Sequence, residues 1–160
     1  NPGSYVANGS EHDIYGDTTH LAKYHIHMTE RRFGKLALLE NAPFETDNPA
    51  SKIALMPWGG SKGSVLEAYN ILRNQNVDIA WYYTMFVNPL APDLLKALKE
   101  KDLVIVPELN YQGQFASLLR SQGINAEAIT QYTGLPFKSS FLVERINELV
   151  GKYIKDMVVG

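Results

Sequence analysis

Three groups of residues in this chain carry side chains able to do chemistry. Ser61 and Lys62 are adjacent within Trp58-Gly-Gly-Ser-Lys-Gly-Ser, where a hydroxyl beside an amine could act as nucleophile and base. Glu108 and Asn110 follow the apolar run Leu103-Val-Ile-Val and its closing Pro107, with Gln114 a few residues on. All four histidines, His12, His20, His25 and His27, fall within 16 residues and are joined by Glu11, Asp13 and Asp17. Imidazoles and carboxylates together suit zinc or a related metal.

Each group also has a plainer reading. No glycine-flanked elbow surrounds Ser61, and no His and Asp follow in the order a hydrolase triad would need. The glycines fit neither GxGxxG nor the P-loop pattern. Gly59, Gly60, Ser61, Lys62 and Gly63 form a tight turn at a helix start, a candidate anion cradle. Lys62 is expected to face that turn, a carboxylate such as Glu108, or solvent. His25 and His27 could share an ion in extended backbone. The helical pattern around them sets them on different faces, and the spacings match no standard zinc motif. The expectation is no metal, with Glu11, His12 and Asp13 as interface residues of a polar connector. Glu108, Asn110 and Gln114 are likewise loop or interface candidates, with capping as the plain role of the glutamate. From the residues alone no catalytic set emerges.

The elements that position these groups follow from periodicity. Ile53 to Met56 is an apolar run ended by Pro57, then the glycine turn, then Val65, Ala68 and Leu72 on one helical face. This is a βα unit, with Ser64 and Glu67 spaced as a capping box. The pattern repeats: strands are expected at 53–57, 78–86, 103–107 and 127–132. The run at 79–86 and the core of 103–107 are apolar on both faces, as buried parallel strands are. Pro92 and Asp93 open one helix, Phe115, Leu118 and Leu119 mark another with Gly123 just past its end, and Leu142, Ile146, Leu149 and Tyr153 outline the last. A helix from Leu21 to Leu39 lies in an amino-terminal connector, residues 1–50, weakened by Gly34. Residues 41–51 read as linker, and residues 51–160 as the compact domain. The Asn-Pro-Gly-Ser start reads as a connector taken from something larger. The fold class is α/β, with ligands or partners expected at the carboxyl ends of parallel strands.

Composition limits the partners. Net charge is −2, which gives no footprint for nucleic acid or an anionic membrane. No apolar run approaches a bilayer span, and no signal-peptide pattern opens the sequence. Zero cysteines exclude disulfides, cysteine-ligated iron–sulfur clusters and thiol nucleophiles within the chain, and fit a cytoplasmic protein.

Trp58-Gly-Gly-Ser-Lys-Gly-Ser-Val-Leu-Glu-Ala, Val104-Ile-Val-Pro-Glu-Leu-Asn-Tyr-Gln-Gly-Gln and Gly134-Leu-Pro-Phe together resemble the carboxyl-terminal domain of the alpha subunit of 2-oxoacid:ferredoxin oxidoreductases. Gly9-Ser-Glu-His-Asp-Ile-Tyr-Gly and the stretch Lys23 to Lys35 are similar to that family's connector. The motifs occur in the family's order over most of residues 9–140. Gly60 stands where the family usually has Ser, and the tail from Phe141 matches no motif. The resemblance implies a transketolase C-terminal-like fold, a three-layer αβα sandwich on a five-stranded, mostly parallel sheet with one antiparallel strand, for which Tyr5 to Ala7 is a candidate. It implies an enzyme that decarboxylates a 2-oxoacid on thiamine diphosphate with Mg, passes electrons through iron–sulfur clusters to ferredoxin, and gives the acyl group to coenzyme A. The cofactors are implied to lie with the beta subunit and the remaining alpha domains, which leaves an assembly domain inactive alone. Two competing classes are a free-standing module binding a phosphorylated ligand at Gly59–Gly63, and a small metal-dependent enzyme using the histidines.

Overall fold

The structure is a computed structural model that describes residues 9–159. It divides into two units, one running to Glu40 and one beginning at Asn41.

In the first unit, the Asp13 carboxylate accepts the backbone N–H groups of Tyr15 and Asp17 at 2.8 and 3.1 Å, and His12 bridges Thr18. Helix α1 covers Ala22–Gly34 and buries none of its residues. The backbone tightens to a 3₁₀ turn over Lys35–Leu39, so the continuous helix expected to residue 39 stops at Gly34, the weakest helix former in the segment. Glu11 ties the loop to α1: it accepts from His25 Nδ1 at 2.8 Å and from both terminal nitrogens of Arg32 at 3.2 Å. Arg32 foremost, and His25 beside it, hold the Glu11 carboxyl below the usual range against a weaker upward push from burial. The Tyr5–Ala7 strand candidate lies outside the described residues.

The second unit runs β1 (Phe44–Asp47), β2 (Ile53–Leu55), α2 (Lys62–Asn74), β3 (Ala80–Thr84), α3 (Pro92–Lys99), β4 (Leu103–Glu108), α4 (Gln114–Ser121), β5 (Ala126–Thr130) and α5 (Ser139–Val159). The five strands form one sheet in the order β1-β3-β2-β4-β5. β2 is parallel to β3 and β4, β4 is parallel to β5, and β1 alone is antiparallel, against β3. Strand alternation sends Ile53, Leu55, Trp81, Leu103 and Ile105 into a core with Val65 and Leu72 of α2 and Leu142 and Ile146 of α5. Ala54, Ala80, Tyr82, Val104 and Val106 are buried on the other face, where α3 and α4 contribute Leu94, Leu98, Phe115 and Leu119. Both faces are covered, as the apolar runs require.

Two expectations are corrected. Residues 44–47 are strand, not linker, so the compact unit begins at Asn41 rather than at 51. Ser64 and Glu67 form no capping box at the helix start: a 3₁₀ turn over Gly59–Ser61 leads directly into α2 at Lys62, which puts Ser64 inside the first turn. The antiparallel strand in the described sheet is β1. Gly123 does end α4: with φ +81°, its N–H bonds Arg120 O and that of Ile124 bonds Leu119 O, the paired bonds of a Schellman motif. No helix among the described residues is long and apolar enough to cross a membrane.

Candidate functional site

From β2 the chain moves to β3 on one side, then crosses back to β4 on the other. Helix α2, leaving β2, and helix α4, leaving β4, therefore cover opposite faces. Between the carboxyl ends of β2 and β4 the connections part and a crevice opens, the place where sheets of this kind meet ligands. There lies a cleft of about 160 Å³ lined by Trp58, Gly59, Gly60, Ser61, Leu109, Asn110 and Gln114. Five of these were singled out from the sequence. Trp58 and Leu109 were not, because their apolar character reads as core or turn.

Glu108, the last residue of β4, is fully buried beside the cleft. Its Oε2 accepts the Trp58 indole N–H at 3.2 Å, the Asn110 amide at 2.8 Å and the Phe115 backbone N–H at 2.8 Å; Oε1 accepts the Ala116 N–H at 2.9 Å. The Asn110 side-chain oxygen accepts from Gly113 N at 2.7 Å and Gln114 N at 3.4 Å. Glu108 and Asn110 thus satisfy the first N–H groups of α4, which a helix leaves without internal partners, and the carboxylate sits at the positive end of the helix dipole. Gly113 holds φ +63°, and a Cβ there would come within 2.9 Å of Ala128 Cβ. Only glycine lets the loop lie this close to β5.

Ser61 is buried, and its hydroxyl donates to Trp58 O at 2.8 Å and to Pro107 O at 3.4 Å, linking the ends of β2 and β4. Lys62 does not reach Glu108. Its ammonium pairs with Glu45 of β1 at 2.5 Å and lies 4.2 Å from the Tyr83 ring centroid. Ser61 and Lys62 are adjacent in sequence but serve different partners, so they make no nucleophile–base pair. Gly63 is in the exposed first turn of α2 and does not line the cleft. Gln114 is exposed at its mouth.

Glu11, His12 and Asp13 belong to the first unit and are engaged locally; the His12 Nδ1 lies 2.9 Å from Asp13 O. His25 meets Glu11 rather than His27. Among the described residues no group of three or more His, Asp or Glu side chains is placed to hold a metal ion.

The fold and cleft define an α/β domain with a five-stranded mixed sheet, its strand-end crevice built by a buried glutamate and a glycine turn. No model of a known protein family matches the sequence. The chain is 30% identical over 153 residues to the 2-oxoacid:ferredoxin oxidoreductase subunit alpha of Saccharolobus solfataricus, a match covering 90% of this chain and 24% of that protein. It is 29% identical over 161 residues to the 2-oxoglutarate oxidoreductase subunit KorA of Mycobacterium tuberculosis, with 99% and 22% covered. Among solved structures, the 2-oxoglutarate:ferredoxin oxidoreductase from Magnetococcus marinus, with 2-oxoglutarate, coenzyme A and succinyl-CoA bound, superposes with a TM-score of 0.73 at 27% identity, over 91% of this chain and 26% of that one. The chain is similar to part of the alpha subunits of 2-oxoacid:ferredoxin oxidoreductases, and spans about a quarter of the length of these relatives.

Proposed function

We propose that this chain is the carboxyl-terminal assembly domain of the alpha subunit of a thiamine-diphosphate-dependent 2-oxoacid:ferredoxin oxidoreductase. The assembled enzyme decarboxylates a 2-oxoacid oxidatively, forms the acyl-CoA and reduces ferredoxin, in the cytoplasm; the beta subunit and the remaining alpha domains supply the reacting groups. The observation that carries this reading is the match of nearly the entire chain to about a quarter of alpha subunits.

The donor set agrees with an assembly role. Binding a diphosphate through magnesium takes several oxygen ligands, and activating the thiamine ring takes a carboxylate. Glu108 is the carboxylate at the strand-end crevice, and both its oxygens are buried under four N–H donors. The cleft residues therefore do not fit thiamine diphosphate and Mg. With no cysteine in the sequence, the iron–sulfur clusters belong to other chains or domains. An anion at Gly59–Gly63 would also lack its nearest cation, since Lys62 is turned to Glu45.

Calorimetry of this chain with thiamine diphosphate and magnesium tests the proposal, alongside 2-oxoacid-dependent dye reduction with and without the other subunits. Reduction is expected only in the mixture. Micromolar cofactor binding, or turnover by the chain alone, overturns the reading.

A further inference from the structure

Among its described residues the second unit carries eight large hydrophobic side chains on its surface, and their distribution is uneven. Phe141, Ile154 and Met157 are on α5. The other five, Met85, Leu109, Tyr111, Tyr132 and Leu135, follow the carboxyl ends of β3, β4 and β5 and are between 43% and 74% exposed. Tyr111 and Tyr132 meet edge-on with ring centroids 5.0 Å apart, which joins the loops after β4 and β5 into one surface. The Gln131 amide holds the second loop in shape by donating to Leu135 O and Pro136 O. The 160 Å³ cleft with its Trp58 wall opens beside these loops and can receive one apolar side chain.

The loops of this rim are themselves free of charge, and the charges at its β1 side, Lys62 and Glu45, are paired with each other. Residues 57–61, 85–92, 109–119 and 131–137 contain no Asp, Glu, Lys or Arg, in a chain that is 20% charged. Aromatic and Met enrichment with charge depletion marks the centre of an interface, and an anchor pocket within it marks where binding energy concentrates.

We propose that this rim is a permanent docking surface for the rest of the alpha subunit, with an apolar side chain of that polypeptide seated in the Trp58 cleft. The inference rests on the alpha-subunit reading above and assigns that subunit a face. Two arguments select the occupant. A partner that comes and goes would leave the apolar loops open to water and to aggregation between visits. A charged carrier would find only the mutually neutralising Lys62–Glu45 pair at one edge, and no unbalanced charge on the loops to steer or orient it. A segment of the same polypeptide is held near at high effective concentration and covers the rim from folding onward. The relatives carry about three quarters of their length outside the matched segment, which supplies such a neighbour.

The test is site-specific photo-crosslinking in the assembled oxidoreductase, with Tyr132 replaced by p-benzoylphenylalanine, and Leu135 in a second variant. Size-exclusion chromatography confirms assembly before irradiation, and mass spectrometry then locates the adducts. Adducts on alpha-subunit peptides outside this segment are expected from both positions. Intact assembly with adducts confined to the beta subunit, a second copy of this chain, or residues 1–40, or with none at all, overturns the docking assignment while the alpha-subunit reading stands. Failure of the unsubstituted chain to assemble overturns both.

Discussion

The Trp58 indole donates to the Glu108 carboxylate at 3.2 Å, joining the turn after β2 to the end of β4 across the crevice between them. Two backbone N–H groups of α4 and the Asn110 amide converge on the same carboxylate. One buried side chain thereby fixes the angle between two strand ends and a helix. Its charge is matched by donors, without which burial would be prohibitive.

Glu108→Gln keeps the shape but turns an N–H₂ group toward N–H donors. It is expected to lower stability by about 2 kcal/mol, the scale of leaving a buried donor unsatisfied. Urea denaturation measures this, and the Phe115 and Ala116 amides should exchange faster in the variant. A loss below about 0.5 kcal/mol, the level of a neutral surface substitution, would show the carboxylate to be dispensable.

Gly113 and Gly59 separate backbone strain from crowding. Both hold positive φ, +63° and +54°, but a Cβ at 59 meets nothing within 4 Å while one at 113 presses on Ala128. Gly59→Ala should cost about 1–2 kcal/mol, the left-handed penalty alone. Gly113→Ala should cost clearly more, on the order of 3 kcal/mol once overpacking is added. Equal costs at the two sites would refute the crowding argument.

Tyr69 of α2 donates its hydroxyl to Asp47 of β1 at 2.6 Å. Burial, and then the bond to Asp47, push the phenol well above its ordinary value of 10.0. The folded state thus holds the proton more tightly than the unfolded chain. Its stabilisation is complete below that ordinary value and shrinks above it, as the unfolded chain ionises first. Unmodified protein should therefore lose more stability than Tyr69→Phe between about pH 9 and about pH 11. Parallel slopes in denaturation series would count against this. Tyr153, raised by burial and by Asp102, contributes equally to both proteins.

Three of the four parallel strands, β2, β3 and β4, were legible as compact apolar runs; β5, Ala126-Glu-Ala-Ile-Thr, is less hydrophobic and was legible from its place between α4 and the Gly134 turn. β1 was not. Phe44-Glu-Thr-Asp offers one apolar residue between Pro43 and Asn48-Pro49, and becomes a strand only through pairing with β3, some forty residues on. Missing β1 also hid the partners of Lys62 and Tyr69, since Glu45 and Asp47 stand on it. The crevice residues Gly59, Gly60, Ser61, Asn110 and Gln114 could be found because strand-to-helix loops in such folds converge in space. That Glu108 spends its whole carboxylate on α4 and Trp58 depends on the packing of distant elements, which no local pattern encodes.

The central position of β2 has a consequence for the order in which this protein can be made. Ile53–Leu55 is fully enclosed in the finished sheet, yet Ala54 pairs first with Ala80 and Ile53 only with Leu103. As the chain leaves the ribosome, its innermost strand emerges before either neighbour exists, with both edges open. Synthesis must pass Glu108 before that strand is flanked on both sides, and long loops have to close to bring the flanks in. During translation the most protected strand of the finished fold is thus the one that waits longest for shelter.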